Sequence, residues 1–320
     1  MQEQGGNRDT VLRTKTVTSK LSHPALPYVW MLSGALAFAV MAAVSHALGP
    51  YVDWRVIAIA RTGLAFAFAF ALSAWARVRL VFGSRTLWLR SVAGSISLVC
   101  TFYALVRLPV GDVLALTNIF PLWIALLCWP VLGVKPTAGV WTAVASAIAG
   151  VWLIQQPHLD DVGMAPWIAL AASFSTCVAM MGLHRLHHLD PRAIVVHFSA
   201  VAFVFCLVSL AFDSSWPGLR ASASGFGEFN ATTLSMLLAV GASATIGQLF
   251  LTKAFAAGSP ARVSVVALSQ VVFGLIFDVW FWQRRLEAAT IFGIALVLVP
   301  TAWMLVRHRP DVVTEMAGDA

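Results

Sequence analysis

Charge is what this sequence has least of. Only 11% of its 320 residues are Asp, Glu, Lys or Arg, against roughly a quarter in a soluble globular domain. A soluble chain of this length could not clothe its own core with so few. Carboxylates are scarcest, 14 against 21 Lys and Arg, and only Asp278 falls clearly inside an apolar run. Paired intramembrane acids are therefore absent. So are HExxH, GxSxG and Walker-type motifs, which leaves a metallopeptidase, a serine hydrolase and an ATP-driven pump without their chemistry. The four cysteines, Cys100, Cys128, Cys177 and Cys206, all sit in apolar runs. None has a CxxC partner, so they read as small core residues, neither a disulfide framework nor a zinc site. No long polar stretch offers a soluble domain. A membrane-embedded enzyme and a non-transporting scaffold remain alternatives with little to recommend them.

What is present is apolar length. The chain is 59% hydrophobic with a mean hydropathy of +0.82, in unbroken runs of roughly 20 residues, the length of a spanning helix. Barrel strands alternate instead. An all-α polytopic membrane protein follows, because lipid leaves no partner for an unpaired backbone group. About ten spans are expected, near 27–48, 54–76, 87–107, 111–133, 138–155, 164–183, 191–212, 232–257, 259–283 and 287–307. Residues 1–26 and 308–320 read as cytoplasmic tails, the first too polar for a signal peptide. The net charge of +7 lies mostly in short loops. That sets nucleic acid aside as a partner and places both termini in the cytoplasm by the positive-inside rule. The Arg284–Arg285 pair dissents. Arg90, near the start of span three, is counted with the cytoplasmic-side charges.

A shift of about 150 residues lays span three on span eight, four on nine and five on ten. LVRLPVGDV then overlies FAAGSPARV, two short breaks between apolar runs. Five spans per half is odd, so the halves must have opposite orientations. Inverted repeats of this kind are a common transporter architecture, with the substrate site between them at mid-membrane. Arg107 to Asp112 reads as a tight turn ended by Pro109 and Gly111, with Asp112 in the first turn of the next helix.

The same stretch carries a family resemblance. FYAL at Phe102 to Leu105, the turn with Asp112, Pro121 in the next span, Arg61 in span two and GVWLI at Gly150 to Ile154 together resemble the EamA family of the drug/metabolite transporter superfamily. The resemblance covers about residues 30 to 307 and is stronger in the first half. It implies ten helices in two inverted five-helix repeats, 27–155 and 164–307. It also implies a small organic solute, such as an amino acid or related metabolite, carried across the cell inner membrane, often outward. Spans one to four and six to nine would line the path, with five and ten peripheral. One departure is Gly133-Val134-Lys135, where the family commonly has Gly-Glu.

Candidate site residues follow from polar groups at depth. Arg61 lies about 10 Å into its span, where a charge faces a cavity or a partner. It could bind an anionic group, or snorkel outward. Asn118 and Pro121 share span four, and the proline can free a carbonyl. Gln248 and Gln270 would line the path or bond between helices. Trp123, with Trp129, Trp141 and Trp152, could form apolar walls. Asp278 could couple transport to protons, or pair with Arg284 or Arg285 near the outer face. His184, His187 and His188 read as a basic loop, and His46 and His197 as hydrogen-bonded packing residues. No cofactor or metal is called for. The partners are a small-molecule substrate and the lipid bilayer, and either a monomer or a homodimer is compatible.

Overall fold

The computed structural model describes residues 25–52, 54–105, 110–156, 163–211, 230–283 and 287–306. Among the described residues twelve helices make ten spans: α1 (Leu26–Leu48), α2 (Trp54–Trp75), α3 (Arg85–Leu105), α4 (Val110–Thr117), α5 (Phe120–Leu132), α6 (Ala138–Gln155), α7 (Ala165–Arg185), α8 (Pro191–Ala211), α9 (Ala231–Ala257), α10 (Pro260–Ala267), α11 (Ser269–Trp282) and α12 (Ala288–Val306). Each expected span is found, with ends displaced by about two residues at most. Eight spans are long and apolar enough to cross a membrane, and α6 and α12 are shorter apolar helices. The turn holding Arg107 and Pro109, the Arg284–Arg285 pair and both tails lie outside the described residues.

Local chemistry sets the helix ends. Prolines open α1, α5, α7 and α10, where a missing N–H costs nothing. Asn230 caps α9 by accepting from the Thr233 amide at 2.8 Å. Gly133 closes α5 at φ +72°, a left-handed position that favours glycine.

Two spans are broken. α4 gives way to α5 at Asn118 and Ile119, and α10 gives way to α11 at Leu268, about 150 residues on. At both places the backbone tightens to i→i−3 bonds: Ile119 to Leu116, and Leu268 to Val265. Pro121 sits in the first turn of α5 and deprives the Thr117 carbonyl of its donor. The second break has no proline. There the Ser264 and Ser269 hydroxyls bond back to Ala261 and Val266 carbonyls, which competes with the helix ladder.

The two halves interleave. The main packing partners are α1 with α9, α3 with α7, α2 with α8, and α6 with α12. Further contacts join α2 to α9, α3 to α8, α1 to α11, and α7 to α4 and α5. Every one of these crosses between halves. Exchanging the halves turns the α1–α9 contact into α7–α3, and α2–α9 into α8–α3. Small residues permit the close approaches. A Cβ on Gly34 would lie 3.3 Å from the Gly247 carbonyl, and one on Gly150 2.6 Å from the Gly293 carbonyl. Hydroxyls lace α3 to α7, Ser97 to Thr176 at 2.6 Å and Ser175 to the Ala93 carbonyl at 2.8 Å.

One end of the bundle gathers Arg77, Arg79, Arg85, Lys135, Arg185, Arg192, Lys253 and Arg262. This is the basic end of the bundle. Of the described cations, only Arg55 sits at the opposite end. At the basic end α5 packs directly on α10, and all of α10 but Arg262 is buried. No comparable packing joins α4 to α11 at the other end, where Ile276, Trp280 and Phe281 are exposed.

Candidate functional site

The two breaks place the polar candidates. Asn118 stands in the first break, and its side-chain amide donates to the Leu114 carbonyl at 2.8 Å. Pro121 is buried just beyond it. The proline starts a helix here and does not kink one, so the chain turns at Asn118 and Ile119. Gln270 is the second residue of α11, half-buried beside the other break. Its side chain has no hydrogen-bond partner among the described residues. Trp123 lies one turn into α5. Its indole N–H donates to Ser173 of α7 at 2.9 Å, and its ring meets Phe174 edge-on at 5.7 Å.

Arg61 lies half-buried in α2, near Cys206 of α8. It makes no ion pair or hydrogen bond with another described residue. Asp278 is half-buried and one turn from the end of α11. The neighbouring Trp282 ring meets His46 of α1 at 4.8 Å. The three tryptophans grouped with Trp123 are exposed: Trp129 has Lys135 over its ring at 4.7 Å, while Trp141 and Trp152 ride near the two ends of α6. That is an interfacial arrangement, not a wall. His184 bonds to the Phe255 carbonyl at 3.2 Å, and no metal-binding cluster exists among the described residues.

The most unusual polar group is Arg90, counted from the sequence among the cytoplasmic-side charges at the start of span three. Arg90 is the sixth residue of α3 and the largest fully buried side chain of the described residues, 1% exposed. One amino group, Nη2, donates to Gln248 Oε1 of α9 at 3.2 Å. Its guanidinium carbon lies 3.8 Å from the centre of the Phe198 ring of α8, a stacked cation–π contact. Nε and Nη1 are buried without a hydrogen-bond partner. Gly182 of α7 makes the room: a Cβ there would stand 3.1 Å from the Arg90 Cβ. Beside it, Nδ1 of His197 meets the Ser91 hydroxyl at 2.8 Å, and Trp88 packs edge-on against the imidazole at 4.6 Å. The second ring nitrogen, Nε2, is buried without a partner.

Gln248 is thus the one sequence-selected residue that this cluster uses. The structure does not bring Arg61, Asn118, Trp123, Gln270 and Asp278 into contact with it. A usable signal for Arg90 is its helical neighbourhood. Ser91, Gly94 and Ser95 follow it, a run of small residues that lets helices close over a long side chain.

Comparison with known proteins adds a family. Residues 163–306 match the sequence model of the EamA-like transporter family. The pseudopaline exporter of Pseudomonas aeruginosa is 27% identical over 221 residues, 68% of this chain and 73% of that protein. The riboflavin transporter of Rhizobium johnstonii is 26% identical over 249 residues, 73% of this chain and 76% of that protein. An uncharacterised transporter of Helicobacter pylori is 22% identical over 218 residues, 68% and 72% of the two chains. A crystal structure aligns with TM-score 0.74 at 15% identity, covering 88% of this chain and 98% of the other, which speaks to the fold. The EamA resemblance read from the first half therefore stands, and the second half, where short motifs are fewer, carries the family match.

Proposed function

We propose that this chain, of the EamA type within the drug/metabolite transporter superfamily, is a secondary transporter. It exports small organic solutes, such as amino acids or related metabolites, from the cytoplasm across the cell inner membrane by alternating access. At family level a transporter is what the matched relatives are named for, and the apolar helices supply a multi-pass membrane protein. The observation that carries the mechanism is the pair of helix breaks about 150 residues apart. Interrupted helices at corresponding places in two repeats mark a transport site, because backbone groups freed there can face a solute only beside a cavity.

The packing suggests which parts move. The halves interleave, so they do not rock as two separate repeats. One unit joins α1, α9, α10 and α11. Its counterpart under exchange joins α7, α3, α4 and α5. At the basic end they meet through α5 and α10 and through the Arg90–Gln248 bond. The rule that loop cations stay inside makes the basic end cytoplasmic. The structure then corresponds to a carrier closed on that side. Arg61, on α2 where it packs against α8 and α9, is the proposed path-lining cation. Asp278, near the opposite end, is the proposed proton-coupling group.

The test is efflux from proteoliposomes loaded with a mixed panel of amino acids and metabolites, with and without a pH gradient. Selective, saturable efflux supports the reading. Efflux no faster than from protein-free liposomes, for every solute in the panel, counts against it.

A further inference from the structure

The Arg90 cluster has an unbalanced charge. Three acids have described side chains, and none pairs with it. Asp190 bonds the Arg192 amide at 2.8 Å, Glu287 accepts from Gln156 at 3.0 Å, and Asp278 sits at the opposite end of the bundle. A buried guanidinium carries five donors and stays protonated. Here a neutral amide and an aromatic face are its only hydrogen-bond and cation–π partners among the described residues. A buried charge left without an opposite charge is costly.

The donors around it are of one kind. If the Ser91 hydroxyl donates to Nδ1 of His197, the ring proton lies on Nε2, and that nitrogen becomes a further buried donor. Thr252, one turn beyond Gln248 on α9, has a buried hydroxyl without a partner. With a buried guanidinium, two of its N–H groups unpartnered among the described residues, and an imidazole and a hydroxyl that can donate, the junction of α3, α8 and α9 has the chemistry of an anion hole.

We propose that Arg90, with His197 and Gln248, binds the carboxylate of the transported solute at the basic end. The site lies where one moving unit meets the other, since Arg90 belongs to α3 and Gln248 to α9. A carboxylate held there supplies the missing opposite charge as the end closes. This names the substrate class for the transporter reading and takes its biological meaning from it. Binding itself is measurable without flux.

The experiment uses the purified full-length chain in detergent, with acetate as the probe. Thermal midpoints are compared in acetate, acetamide and inorganic phosphate, all against chloride at equal ionic strength. Acetate is expected to raise the wild-type midpoint by about 2–4 °C when it exceeds its dissociation constant about tenfold. Acetamide and phosphate are expected to leave it unchanged. Arg90→Gln should lose the acetate response. Gln248→Glu carries the test should that variant fold poorly. It puts a carboxylate on the guanidinium from within the chain, so it should melt higher than wild type and ignore acetate. No acetate effect beyond chloride in wild type overturns the proposal. So does an equal effect in Gln248→Glu, and so does a response to phosphate instead. Absent flux with an intact acetate response would count against transport and leave the anion site standing.

Discussion

Alanine at Gly150 should push α6 away from α12. The two helices cross with backbone against backbone. A Cβ at 150 would stand 2.6 Å from the Gly293 carbonyl oxygen, and 2.9 Å from both Leu296 Cβ and Val297 Cγ2. Ordinary contact begins near 3.4 Å, so the helices must part by about 0.8 Å. The first two obstacles, a backbone oxygen and a Cβ, cannot swing aside, and the third belongs to a β-branched side chain that is stiff in a helix. That separation also stretches the bond from Ser146 to the Leu296 carbonyl, now 3.1 Å, beyond useful length. Overpacking costs about 1–3 kcal/mol, and an interhelical bond in a membrane adds about 0.6 kcal/mol. The thermal midpoint of the detergent-purified protein should fall by about 3–7 °C. Gly274→Ala is the control. A Cβ there meets nothing within 4 Å, and alanine is the better helix former, so its midpoint should hold or rise. Gly150→Ala melting at or above wild type would refute the close crossing.

Other substitutions probe single contacts. Gly94→Ala places a Cβ 2.8 Å from Phe198 Cε2. It should displace the ring from the Arg90 guanidinium, cost about 1–3 kcal/mol and abolish the acetate response. Trp123→Phe keeps the edge contact with Phe174 and loses the N–H bond to Ser173, a loss of about 0.6 kcal/mol seen as a small drop in midpoint. Gly133→Ala tests backbone conformation alone, because φ is +72° and nothing lies within 4 Å. It should cost about 1 kcal/mol.

The spans were legible because apolar runs of helix length admit one solution in lipid. The internal repeat was legible in the spacing of LVRLPVGDV and FAAGSPARV, and the structure adds the matching breaks. The second break was hidden, since Leu268 has no proline and the disturbance comes from serine hydroxyls. Arg90 was hidden for a different reason. An arginine five residues beyond Arg85 at a helix start reads as a snorkelling cation, and only the fold reveals Gly182, Phe198 and Gln248 closing over it. Trp129 misled in the opposite direction. Its depth in the apolar run suggested a wall, but α5 ends three residues later and Lys135 covers the ring. Interleaving of the halves is a tertiary fact that no periodicity encodes.

The central claim is that the α5–α10 contact opens and closes as solute crosses. The Cys128 thiol of α5 lies within hydrogen-bonding reach of the Ala261 backbone of α10. Ala261→Cys therefore sets a second thiol beside a native one. The decisive measurement is efflux from proteoliposomes holding this variant, oxidised and then reduced, with cross-link formation read on the same sample. Efflux should be lost with the cross-link and restored by reductant. A complete cross-link with efflux unchanged would contradict that claim.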